Sequence, residues 1–179
     1  MTVIETGRLI LKPYAEADAA SMAALHADSV VMDYLKDSKT LTPDEAAETF
    51  ARYLVCWREH GHSIFAVRLK DDAAFVGECG FWMRTDKPGV SMRFIMHHAY
   101  WGNGYGWEMN EAVTAWLFSE TDVMSFWAVT QSRNKGAVAI LRRLGGRLTE
   151  TAHMGQAGLL RFDVDRHAWQ NARAEMQDE

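Results

Sequence analysis

Cysteine is nearly absent from this sequence. Cys56 and Cys79 are the only two in 179 residues, too few for a disulfide scaffold and not spaced as metal ligands. Basic charge is also short. Nineteen Lys and Arg stand against 24 Asp and Glu, a formal net charge of −5, which argues against a protein that holds nucleic acid through its phosphates. No stretch is apolar enough to span a bilayer, and "MTVIETGRL" lacks the apolar core of a signal peptide. The expectations are therefore no nucleic acid, no membrane and a reduced, cytoplasmic location. No metal site is expected either. The seven histidines are scattered, and the neighbours His97 and His98 would point to opposite faces of a strand.

What is present is an ordinary globular balance, 48% hydrophobic and 24% charged. The length suits one domain over residues 1–179 with a substantial core. The polar "QNARAEMQDE" at 170–179 reads as a loose tail. Seven tryptophans and ten methionines look like more than one domain buries, which leaves a homodimer open.

Hydrophobic spacing gives the order of elements. "TGRLILKPY" (6–14) suits a first strand, and the alanine-rich 16–27 a short helix. "TPDEAAETFARYLVCWREHG" carries a full helix signature. Thr42 caps it, Pro43 takes the first position and Glu45 completes a capping box. Ala46, Phe50, Tyr53, Leu54 and Trp57 form its stripe, and Gly61 stops it. Three strands follow at 63–69, 75–84 and 90–97, with hairpin-type connections "KDDAA" and "TDKPG". A helix with Met109, Ala112, Val113, Trp116 and Leu117 on one face comes next. Then come a strand at 124–130, a helix after Asn134, and two strands within 147–167. The result is a mixed α/β domain whose meander feeds a strand–glycine loop–helix unit, with 124–130 parallel to 90–97.

The stretch "WGNGYGWEMNEA" holds the chemistry. Gly102, Gly104 and Gly106 alternate directly ahead of a helix, where backbone N–H groups lack partners and the helix dipole favours an anion. Glycines there either make a tight turn or let a phosphate approach the backbone. A dinucleotide fingerprint is excluded, because Gly-x-Gly-x-x-Gly has other spacing and sits in an early βαβ unit.

These residues resemble the acyl-CoA motif of the GCN5-related N-acetyltransferases (GNAT), Gln/Arg-x-x-Gly-x-Gly/Ala. "WGNGYG" occupies its six places. Trp101 stands where most members have Gln or Arg, as in the branch of ribosomal-protein N-terminal acetyltransferases. "TGRLILKPY", "VGECGF" and "NKGAVAILRRLG" fall in the family's order. The resemblance implies a mostly antiparallel sheet splayed between its fourth and fifth strands (90–97 and 124–130) and flanked by helices. It implies acetyl-CoA as cosubstrate, held by Trp101, Gly102, Asn103, Gly104, Tyr105, Gly106 and Trp107. Main-chain groups of Phe94, Ile95 and Met96 would pair with the pantetheine arm, and one N–H there would face the thioester oxygen. Asn134 would contact the arm, cap its helix, or do both. Trp101 reads equally as a packing anchor.

The implied reaction is direct attack of a primary amine, a protein N-terminus or a small molecule, on the acetyl thioester in a ternary complex. A base must take the ammonium proton. The family's usual glutamate is replaced by "VSM" at 90–92, and its tyrosine acid by Leu141. Glu78 is the substitute, a carboxylate among Phe75, Cys79, Phe81 and Trp82 whose pKa burial would raise. It reads equally as an outward-facing strand residue. His62 and His97 are alternative bases. The missing acid and base motivate a second class of function, a non-catalytic acyl-CoA sensor.

Overall fold

The computed structural model describes residues 2–35, 38–83 and 88–177. A small strand β1 (Ile4–Glu5) precedes β2 (Leu9–Pro13). Three helices follow, α1 (Ala19–Ala27), α2 (Ser29–Met32) and α3 (Pro43–His60). The meander is β3 (Ile64–Leu69), β4 (Phe75–Met83) and β5 (Val90–Met96). Helix α4 (Tyr105–Glu120), β6 (Ser125–Gln131), α5 (Lys135–Arg143), β7 (Arg147–Glu150), β8 (Leu159–Asp165) and α6 (Arg166–Gln177) complete the chain. The connection expected at 85–89 lies largely outside the described residues.

All eight strands form one sheet in the order β1-β2-β3-β4-β5-β6-β8-β7. Every pairing is antiparallel except β5 with β6. This is the mixed, mostly antiparallel sheet expected from the sequence.

Both faces of the sheet centre are covered, so its strands lose the apolar–polar alternation of a half-exposed sheet. Phe65 and Val67 of β3 join the cluster under α4 with Met109, Val113 and Leu117. Their neighbours Ile64 and Ala66 join Met22, Phe50 and Tyr53 of α1 and α3. Helix α3 starts at the expected capping box. Thr42 Oγ1 accepts from Glu45 N–H, and Glu45 accepts from Thr42 N–H at 2.8 Å. Gly61 ends it at φ +69°, in the left-handed region.

Two expectations are corrected. Residues 170–177 continue α6 rather than trailing as a tail, because Trp169 is buried against Phe118 (5.5 Å between rings) and anchors the helix. The surplus is absorbed for tryptophan, since all seven are buried or half-buried, whereas Met124 and Met154 stay exposed.

Candidate active site

The site begins where β5 and β6 part. They pair only at Val90–Phe126 and Ser91–Trp127, then diverge. His97 N–H donates to Val76 O at 2.9 Å, which sets the parity of the β4–β5 ladder. Odd-numbered residues of β5 turn their main chain to β4, and Phe94 and Met96 turn theirs to the opening. The Met96 carbonyl is taken by the Trp101 indole N–H (2.9 Å), which leaves the Phe94 groups and the Met96 N–H. Ile95 borders the larger cavity described below but differs from Phe94 and Met96 in its main chain. Its main chain lies on the β4 side, opposite Glu78, and its side chain packs with Leu25, Val31 and Met32.

After β5 the chain makes a short 3-10 turn, His98–Tyr100, and enters the glycine loop. Gly102 (φ +78°) and Gly104 (φ +80°) are left-handed, a conformation that costs any other residue energy. Gly106 has a different reason. A Cβ on it would come within 3.2 Å of Ile140 Cδ1. Gly104 is the N-cap of α4 and offers no side chain. The N–H groups of residues 102–107 make no hydrogen bond to any described residue, so the helix start presents a set of unpaired donors.

Arg8 fastens this loop, a contribution that sequence reasoning missed. Its Nη1 donates to Asn103 O (2.9 Å), its Nε to Glu108 Oε2 (2.7 Å), and its guanidinium lies 4.4 Å from the Tyr105 ring centroid. Burial works to raise the Glu108 pKa, but bonds from Thr6 and Arg8 outweigh it and lower it. The signal was the "TGRL" that opens the resemblance, which binds α4 through Thr6 and Arg8. The Asn103 carbonyl and the Tyr105 ring thus face Arg8, the Asn103 side chain donates back to the carbonyls of Tyr100 and Trp101, and neither residue lines either cavity described next. Trp101 packs edge-on against Tyr34 at 5.2 Å, and Arg143 lies 4.0 Å over Trp107.

Two cavities meet in the opening. The larger, about 460 Å³, runs beneath the loop past Met96, Trp101, Gly104 and Trp107 to the start of α5. The smaller, about 210 Å³, lies on the other side, walled by Trp82, Arg93, Trp127 and His153. Phe94, Asn134, Ala137, Tyr34 and Leu35 border both. Asn134 caps α5, its Oδ1 accepting from Ala137 N–H at 3.1 Å. The rim is strapped across its top, where the Gln131 side chain donates to the Asp33 carbonyl and Arg133 pairs with the Asp33 carboxylate at 2.7 Å.

Glu78 is placed otherwise than its apolar sequence neighbours suggest. Its side chain is fully buried among polar partners drawn from α1, α3, β5 and the residue that follows β2. Tyr14 Oη donates at 2.8 Å, Tyr53 Oη at 3.1 Å and Arg93 Nε at 3.1 Å. His26 Nε2 stands 3.1 Å from Oε1, near enough for an ion pair though out of line for a hydrogen bond. Burial pushes the Glu78 pKa up, but His26, Arg93 and Tyr14 overcome it and hold it at about 2. The expected rise is reversed, and Glu78 lines neither cavity.

His62 and His97 also lie outside both cavities. Burial lowers the pKa of each, against the Phe81 carbonyl at His62 and Asp28 at His97. The Cys79 thiol is buried and pushed well up, which removes it as a nucleophile. His153 is the one described histidine that lines either of these two cavities, its Nδ1 2.6 Å from Glu150 Oε2. Its spacing from any recognisable motif left no signal in the sequence.

A mixed sheet opened between two parallel strands, with a glycine-built helix start over the opening, defines an acetyltransferase of the acyl-CoA-binding class. The chain belongs to the Acetyltransferase (GNAT) domain family, whose profile matches residues 8–147. That family uses acetyl-CoA. Among curated proteins, the Bacillus subtilis protein named "Uncharacterized N-acetyltransferase YoaA" is 22% identical over 146 residues, spanning 80% of this chain and 81% of its own. The crystal structure of an acetyltransferase from Agrobacterium tumefaciens superposes with a TM-score of 0.81 at 20% identity, covering 93% of this chain and 95% of that one. RimL, a ribosomal L7/L12 alpha-N-protein acetyltransferase solved with coenzyme A, superposes at 0.77 with 12% identity, over 93% and 99% of the two chains. At these identities the likeness speaks to the fold. Among the described residues no helix is long and apolar enough to cross a membrane, and no cluster of metal-ligating side chains occurs.

Proposed function

We propose that the protein is an N-acetyltransferase that moves acetyl from acetyl-CoA to a primary amine by direct attack in a ternary complex. The observation that carries this reading is the meeting of two cavities at Phe94, Asn134 and Ala137. One cavity fits a CoA arm and the other an acceptor.

The unpaired amides of residues 102–107 hold the pyrophosphate without a lysine. The pantetheine arm runs down the opening against Phe94 and the Met96 N–H, as an added strand would. The Phe94 N–H then faces the thioester oxygen and stabilises the tetrahedral oxyanion. The amine enters from the smaller cavity, attacks the carbonyl carbon, and the C–S bond breaks as thiolate leaves. A carboxylate with a pKa of about 2 takes little from an ammonium of pKa about 8–10. Glu78 therefore acts as charge partner of Arg93, and the proton leaves through water in the acceptor cavity, with His153 on its wall as the candidate acceptor.

Acetyl-CoA binds only the folded state and so raises the melting temperature, whereas NAD and ATP do not. Thiol release from acetyl-CoA with peptides, amino acids, polyamines and aminoglycosides then tests transfer. Stabilisation without release from any amine would favour the sensor reading. No stabilisation at millimolar acetyl-CoA refutes both.

A further inference from the structure

The acceptor cavity has a charge pattern that narrows the amine. Arg93 and Lys39 both line it, and no Asp or Glu lines it among the described residues. Arg93 is held from behind. Its Nε donates to Glu78, which is fully buried, while about a quarter of the Arg93 side chain stays accessible. Its two Nη atoms make no hydrogen bond with any described residue. A fixed guanidinium with its outer edge unused is the geometry that accepts a carboxylate in a fork. Lys39 is 63% exposed and pairs with Glu45, itself 38% exposed, at 2.6 Å. An exposed pair of that kind exchanges partners at little cost.

Size points the same way. At about 210 Å³ the cavity is below the range of about 300–1,000 Å³ usual for drug-sized ligands. It suits a short, slender amine rather than a polycyclic one. Trp82, Trp127 and Tyr34 supply apolar wall for the carbon skeleton between two polar ends. A polyamine or aminoglycoside would bring further ammonium groups against two cations in a cavity that no Asp or Glu lines among the described residues, a repulsive arrangement.

Resting on the acetyl-transfer reading above, we propose that the acceptor is a primary amine bearing a carboxylate, with the carboxylate received by Arg93 and Lys39 and the amine directed to the junction at Phe94 and Asn134. A free amino acid and the first residues of an acidic peptide present this same chemistry.

The test uses two matched series in which the amine is constant and the distal group varies. One is 6-aminohexanoate, 6-aminohexanamide and 1,6-diaminohexane, for the free acid. The other is the dipeptide amides Ala-Glu-NH2, Ala-Gln-NH2 and Ala-Lys-NH2, for the peptide. In at least one series the carboxylate member is expected to have a kcat/KM for CoA release at least tenfold above the neutral member, with the cationic member lowest. Lys39→Ala, at an exposed position, and Arg93→Lys, checked for folding by thermal unfolding, should each bring the carboxylate-to-amide ratio toward one. Equal or better turnover of the neutral and cationic members in both series overturns the inference. Acceptor binding to the CoA-loaded protein, followed by tryptophan fluorescence, separates the two readings. Preferential binding of carboxylate members without thiol release upholds the charge assignment and refutes transfer, whereas indifferent binding refutes the charge assignment itself.

Discussion

Replacing Glu78 by glutamine distinguishes a proton acceptor from a buried counter-ion. The native carboxylate has a pKa of about 2 against an ordinary 4.5. At about 1.4 kcal/mol for each pKa unit, the folded state gains about 3 kcal/mol from the ionised form. Because the folded pKa is depressed, this stability is fully present above pH 4.5 and disappears as the pH falls toward 2. Glutamine keeps the shape but sets an NH2 among the donors of Tyr14, Tyr53 and Arg93, and leaves Arg93 without its partner. Urea unfolding of both proteins from pH 7 to pH 3 should show a gap of about 3 kcal/mol at neutral pH that narrows below pH 4.5. A domain of ordinary stability survives that loss at pH 7, so activity can be compared there. A counter-ion role predicts that Glu78→Gln keeps the acidic limb of the pH–rate profile and raises the KM for the acceptor. A gap that does not change with pH refutes the electrostatic account. Loss of that limb together with about a hundredfold fall in kcat would restore Glu78 as the base.

Three further substitutions probe the loop. Gly104→Val forces a branched residue to φ +80° and brings a Cβ to 3.4 Å from Arg8 Nη2, so calorimetry should show CoA affinity reduced at least tenfold, and an unchanged Kd would show that the loop does not hold phosphate. Arg8→Ala removes the pair with Glu108 and the bond to Asn103 O; since Arg8 is half exposed, about 1 kcal/mol of stability should be lost, with CoA binding weakened severalfold as the loop loosens. Asn134→Ala should cost about 1 kcal/mol through the lost cap and also weaken CoA binding. Lower stability with unchanged CoA affinity would reduce Asn134 to a cap alone.

The parts of this fold that were legible in the sequence depend on neighbours along the chain. The stripe of α3, its Thr42–Glu45 box and the Gly61 stop are written within twenty residues, and the glycine loop within six. The parts that were not legible depend on distant partners. Glu78 looks apolar in "FVGECGFW", yet Tyr14, His26, Tyr53 and Arg93 reach it from four separate parts of the chain and reverse the sign of its pKa shift. Arg8 and Glu108 are a hundred positions apart. Two-residue β1 is too short for periodicity to register. Helix α6 looked polar because Trp169 alone carries its burial. The main-chain direction of Ile95, which lines the larger cavity, was hidden for a finer reason. Spacing places a strand, but ladder parity decides which alternate main-chain groups stay free.

The parting of β5 and β6 bears on how the protein avoids sticking to itself. An unpaired strand edge is a template for another chain, and here two such edges occur in the middle of a sheet. Each strand is committed on its other side, β5 to β4 and β6 to β8, along its whole length. Neither can slide across to close the gap without giving up a full ladder. The strap from Gln131 and Arg133 to Asp33 and the Trp101 indole on the Met96 carbonyl close off part of what a foreign strand would need. The vacancy is thus kept by register, because each of its two edges belongs to a strand whose other edge is fully paired.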